Sequence, residues 1–141
     1  GFKENWITTN AGKYAVVEID TNRTNALLHC KVLGGHLVAF ETQGEFESVK
    51  LLIRNDRFYY TGAISASPDG TGYISPANFS HFIWEHSGER LIDTFADWHS
   101  SQPNNHRKYE DCVALSWGKF YDSPCSNYWA PHETYSICEK P

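Results

Sequence analysis

Four cysteines, at positions 30, 112, 125 and 138, constrain the chain more than any other feature. They are even in number, far apart, and form no Cys-x-x-Cys pair. That disfavours zinc knuckles and thioredoxin-like redox sites, which need closely spaced thiols. Long spacings fit two disulfides joining distant parts of the chain, and such bonds persist in oxidising compartments. The triplets Asn22-Arg23-Thr24 and Asn78-Phe79-Ser80 match the glycosylation acceptor pattern and point to the same environment. Asn22 also has a purely structural reading, as a helix cap. The expectation is a secreted, disulfide-bonded glycoprotein.

The length of 141 residues is enough for a single domain over residues 1–141 with its own core. A start at Gly1 rather than Met reads as a processed or trimmed terminus. The net charge is -5, and Arg107-Lys108 is an isolated basic pair. Nucleic acid is therefore not an expected partner, because phosphate binding needs clustered Lys and Arg. No apolar run approaches spanning length, so membrane insertion is not expected. Aromatic residues make up 15% of the chain, which suits a loop-rich domain whose core rests on large rings. Trp84, Trp98 and Trp117 are expected to fill the core or anchor loops, and Trp6 to pack an N-terminal strand.

Periodicity gives the order of elements. Tyr14 to Asp20 is β-rich and reads as a strand. Ala26, Leu27, Cys30 and Leu33 recur at helical spacing after the capping residues Thr21 to Thr24, and Gly34-Gly35 ends that helix. His36 to Phe40 is an extended link. Thr42 and Glu45 form a capping box opening a second helix. Its apolar stripe is Phe46, Val49, Leu52 and Ile53, and Asn55-Asp56 ends it. Phe58 to Ala63 reads as a strand, Ser65 to Ser80 as a loop, and Phe82 to Trp84 as a short strand. Gly88 to Gln102 looks irregular. Cys112 to Trp117 is a strand, Gly118 turns it, Lys119 to Asp122 returns, and Tyr135 to Glu139 is the last strand. Two helices followed by short antiparallel strands and long loops make an α+β fold.

Chemistry concentrates between Trp98 and Cys112. Gln102, Asn104, Asn105, Glu110 and Asp111 supply amide and carboxylate oxygens, the ligands a hard cation such as Ca²⁺ prefers. Catalytic patterns are missing. His132-Glu133 has no second His at zincin spacing, no Gly-x-Ser-x-Gly elbow occurs, and the cysteines are expected to be paired. The chain is read as a binding protein and not an enzyme.

From about Trp6 to Glu139 the sequence resembles the C-type lectin-like domain. The residues that carry the resemblance are Ala26 to Leu37, Tyr60-Thr61-Gly62-Ala63, Phe82-Ile83-Trp84, Gly88, Trp98, Gln102-Pro103-Asn104, Glu110-Asp111-Cys112-Val113 and Cys138-Glu139. It implies the short form of the fold, with disulfides Cys30–Cys138 and Cys112–Cys125. A bridge from the first helix to the last strand is worth roughly 4–5 kcal/mol in the loop-entropy picture. The resemblance also implies a calcium site. In sugar-binding members two side chains flanking a proline, a following Glu and an Asn-Asp pair hold the ion. Here those positions are Gln102, Asn104, Glu110, Tyr121 and Asp122. Tyr121 is the departure, since a phenol is a poor calcium ligand.

The expected ligands are therefore Gln102, Asn104, Glu110 and Asp122, two amides and two carboxylates. Affinity rises with carboxylate count, so binding weaker than in the full motif is expected. The same four side chains would face the sugar, with His106, Tyr109, Trp117 and Tyr121 as candidate stacking residues. Gln-Pro-Asn matches neither the mannose-type Glu-Pro-Asn nor the galactose-type Gln-Pro-Asp, and galactose-type ligands are slightly favoured. Asn105, Glu110 and Asp111, with Asp69, are the candidate ligands of an accessory ion. The partner is thus a glycan, and a non-covalent homo-oligomer is expected for avidity. The alternative is a calcium-independent protein-interaction or structural module of the same fold.

Overall fold

The structure, a computed structural model, describes residues 6–65, 82–98, 112–123 and 134–140, with Ser65, Asp122 and Ser123 described by backbone alone. Ser65 ends a strand rather than opening the loop, and the rest of the Ser65 to Ser80 stretch and the 102–111 segment lie outside the described residues. The strands are β1 (Ile7–Thr8), β2 (Lys13–Val17), β3 (His36–Leu37), β4 (Phe58–Ser65), β5 (Phe82–Trp84), β6 (Cys112–Ser116), β7 (Lys119–Ser123) and β8 (Thr134–Lys140). The helices are α1 (Arg23–Val32) and α2 (Gln43–Lys50). This is the expected α+β, C-type lectin-like architecture.

The described strands form one sheet in the order β1-β2-β8-β4-β6-β7. β8 is its hub. One edge pairs with β2; the other pairs with β4 along Thr134–Ser136 and with β3 along Cys138 and Glu139. The β4–β8 pairing is parallel, and the other ladders are antiparallel. Where β3 crosses β4, the N–H of Gly62 donates to the Val38 carbonyl at 2.8 Å. A Cβ at Gly62 would stand 2.9 Å from the Leu37 carbonyl oxygen, so the crossing requires glycine.

α1 begins as its sequence suggests. Asn22 Oδ1 accepts the N–H of Asn25 at 2.8 Å, which satisfies one of the free donors of the first turn. Ala26 and Cys30 are buried at helical spacing, and Gly34, at φ +87°, breaks the helix. α2 opens on Thr42, whose Oγ1 accepts from Glu45 N–H at 3.2 Å. Glu45 reaches back to the cap in turn, and the Thr42 hydroxyl donates to its Oε1 at 3.4 Å. Glu45 Oε1 takes the N–H of Glu41, one residue before the cap, at 3.3 Å.

Two elements end well before the sequence reading has them end. β2 stops at Val17, and Asp20 leaves the ladder so that its Oδ1 accepts the N–H of Thr134 at 3.0 Å. α2 stops at Lys50, although Leu52 and Ile53 still pack against the core. Beyond it, the Arg54 N–H goes to Tyr59 Oη at 3.0 Å rather than to a helical carbonyl. A 3-10 turn, Leu91–Asp93, occupies part of the stretch read as irregular. Two buried clusters result. One holds the rings of Phe40, Phe46, Trp84 and Phe120; the other lies under α1 around Cys30, Tyr60 and Cys138.

Candidate functional site

The β6–β7 hairpin positions what can be seen of the site. β6 alternates toward the core from Cys112, and all five of its residues are buried. Trp117 and Gly118 turn the chain, both at positive φ (+53° and +71°). Glycine carries that geometry without strain; tryptophan does not. β7 then returns in register, Leu115 opposite Phe120 and Val113 opposite Asp122. Asp122 is thereby brought to the Cys112 end of the hairpin, while Trp117 sits at the other end.

Phe120 fixes β7 in place. It is wholly buried and meets Phe40, Phe46, Trp84, Phe95 and Trp98 with ring centroids 5.5–6.2 Å apart. Its N–H donates to the Asp97 carbonyl at 2.7 Å, and Lys119 Nζ reaches Asp97 Oδ1 at 2.9 Å. Trp98 bridges to Phe120 and packs on Phe82 at 5.2 Å. So the residue where the oxygen-rich segment begins, Trp98, and the one where it ends, Cys112, are both held against this hairpin. Tyr121 is half-buried, its ring 5.8 Å from Phe58.

Of the expected ligands, the structure describes only the backbone of Asp122. Gln102, Asn104 and Glu110 lie outside the described residues, as do His106, Tyr109, Cys125, Asn78 and the accessory set Asp69, Asn105 and Asp111. The Cys30–Cys138 bond is present, with Cα atoms 5.3 Å apart, and Cys112 is also disulfide-bonded. The core reading of the tryptophans holds for Trp84, which is wholly buried, and for Trp98, packed against the core. It fails for Trp117, which is 65% exposed, because the hairpin turn projects it past the end of the sheet.

Sequence reasoning missed two features. The first is a cleft of about 460 Å³ lined by Leu27, Lys31, His36, Glu85 and His86, among others. The imidazoles of His36 and His86 stack in it at 3.7 Å, 6° from parallel. Burial lowers the pKa of His36, against the opposing pull of a 2.8 Å contact between its Nδ1 and the Leu37 carbonyl. Fifty residues separate the pair in sequence, so no local spacing announces them. The second is Glu139. Burial, with Glu45 and Glu41 nearby, pushes its carboxyl up to about 7, although Oε1 accepts the Ala39 N–H at 3.0 Å. Its place directly after Cys138 was the available signal.

A helix bonded by disulfide to the hub strand, a short crossing at Gly62, and a hairpin that closes a long oxygen-rich segment define a C-type lectin-like domain. The chain belongs to the C-type lectin domain family: the family described as Lectin C-type domain matches residues 19–140. Members are generally binding modules without catalysis. The chain is 26% identical over 140 residues to mouse C-type lectin domain family 4 member G, covering 96% of this chain and 41% of that protein. It is 29% identical over 146 residues to C-type lectin 37Da of Drosophila melanogaster, covering 96% and 72% respectively. Among solved structures, the cow CD23 carbohydrate-recognition domain, crystallised in the presence of a GlcNAc2Man3 oligosaccharide, superposes with a TM-score of 0.76 at 21% identity, covering 99% and 95% of the two chains. A calcium-independent type II antifreeze protein does so with a TM-score of 0.71 at 19% identity, covering 99% and 94%.

Proposed function

We propose that this chain is a secreted, calcium-dependent carbohydrate-binding lectin whose site is built from Gln102, Asn104, Glu110 and Asp122. The observation that supports it is the hairpin register. It sets the Asp122 backbone opposite Val113 at the Cys112 end of the hairpin, and Glu110 stands two residues before Cys112 in the sequence. Two carboxylates and two amides are a donor set suited to a hard cation, with affinity in the range of about 10⁻⁴–10⁻³ M. When bound, calcium supplies coordination for a pair of vicinal sugar hydroxyls. The amides of Gln102 and Asn104 donate to those hydroxyls, and Glu110 and Asp122 accept from them. Galactose-type sugars are slightly favoured. Cys112–Cys125 would pin the Asp122 end of the hairpin, Asn22 and Asn78 would carry glycans, and a non-covalent oligomer would supply avidity.

Elution from an immobilised glycan by EDTA tests the reading, together with Asp122→Ala and Glu110→Ala, each expected to abolish binding. Glycan arrays blank with and without calcium would overturn it. That result would favour a calcium-independent interaction module. Tyr121 supports this second reading, because its ring rests on Phe58 where the family motif has an amide ligand.

A further inference from the structure

α1 runs beside β8 in the same direction. Cys30 is bonded to Cys138, and just before the helix the Thr21 N–H donates to the Thr134 carbonyl at 3.1 Å. Arg23, the first residue of α1, therefore lies over the Thr134–Ser136 stretch of β8. Alternation puts Thr134, Ser136 and Cys138 on the face that α1 covers, and Tyr135 and Ile137 in the aromatic cluster opposite. Tyr60 is the register partner of Ser136 and packs in the α1-side cluster with Ala26 and Cys138.

Four polar atoms in this place have no hydrogen-bond partner from the protein: Arg23 Nε, Tyr60 Oη, Thr134 Oγ1 and Ser136 Oγ. Their residues are 5%, 0%, 1% and 0% exposed. Native folds pair nearly all buried polar atoms, so four orphans on residues gathered where α1 meets β4 and β8 call for a partner.

We propose that the space beneath the first turn of α1 is a binding site for internal water, one or two molecules that bond Tyr60, Ser136, Thr134 and Arg23. The donor–acceptor inventory fits. The guanidinium Nε–H only donates, the three hydroxyls donate or accept, and each water accepts two bonds and gives two. A halide is the competing occupant of a donor-rich site near a guanidinium, and the charges oppose it. Glu85 already engages Arg23 Nη2 at 3.0 Å. Asp20 is near enough that burial and its charge together push the Tyr60 phenol up to about 12, against the pull of Arg23. The water ties the capped end of α1 to β4 and β8.

The sign of a small substitution tests this. In a dry site, Tyr60→Phe removes an unpaired oxygen and leaves the Tm unchanged or raised. In a hydrated site it removes a bond, and the Tm falls by about 2–4 °C. Ser136→Ala is expected to act in the same direction, and the double variant to lose less than the sum because the two side chains share a partner. A crystal structure should show density within hydrogen-bond reach of Tyr60 Oη and Ser136 Oγ. A Tm that holds or rises in both variants, a site without density, or an anomalous peak there after bromide soaking would each overturn the proposal.

Discussion

The two faces of the central strands are held by different means. On one face Phe40, Phe46, Trp84 and Phe120 pack ring against ring, mostly edge to face, among aliphatic residues such as Val49, Leu115 and Ile137. On the other face α1 rests on small and polar residues, fastened by the Cys30–Cys138 bond and an ion pair between buried Arg23 and Glu85. Ring packing is short-range and fails locally when one piece is removed. A covalent tie acts mainly on the unfolded chain, by restricting how far two cysteines with a sequence separation of 108 can spread. The β6–β7 hairpin is mounted on the ring-packed face through Phe120, so the site proposed there would draw its rigidity from aromatic contacts rather than from the α1 disulfide.

The largest effect is expected from removing the tie. Cys30→Ala with Cys138→Ala should lower stability in urea by about 4–5 kcal/mol. Glycan affinity per folded molecule should be retained, because the hairpin is on the other face. Phe120→Ala should cost about 3–5 kcal/mol through its cavity and also weaken glycan binding, since β7 and Trp98 lose their common anchor. If both variants lose affinity equally, the two faces are not mechanically separate.

A smaller effect is tied to pH. Glu139 has a folded pKa near 7, above its unfolded value, so between about 4.5 and 7 the folded state holds more protons. Stability should fall as pH rises through that window and level off above it, by on the order of 2 kcal/mol. Glu139→Gln should flatten the profile in thermal melts with EDTA present. The smallest effect separates the two readings of Asn22. Asn22→Gln should lose both any attached glycan and the cap, at about 1 kcal/mol, whereas Thr24→Ala should lose the glycan alone. Mass spectrometry beside thermal melts checks the pair.

Legibility followed the same division. The β6–β7 hairpin was readable because alternation, Gly118 and a buried aromatic coincide within a dozen residues. α1 was readable from its cap and its terminal glycines. The end of α2 was not, because Leu52 and Ile53 continue the apolar pattern while their backbone has left the helix. β1, a two-residue strand, has no period to detect. The central place of β8 is set by pairings with β2, β3 and β4, and no local pattern encodes them. In the site, the resemblance to the family supplied the candidate ligand positions, and most of them lie outside the described residues. The exposure of Trp117 could not be read, because its sequence neighbours are those of a core strand.

The position of β8 has a consequence for biogenesis. The strand that joins β2, β3 and β4 is made more than a hundred residues after β2. Until it emerges, β2 and β4 have open edges, and Cys30 waits as a free thiol. High sequence separation of this kind slows folding and leaves partial folds prone to wrong pairing. Formation of the Cys30–Cys138 bond should therefore mark completion of the sheet, and an oxidase acting too early would trap Cys30 on Cys112 or Cys125, whichever had already appeared.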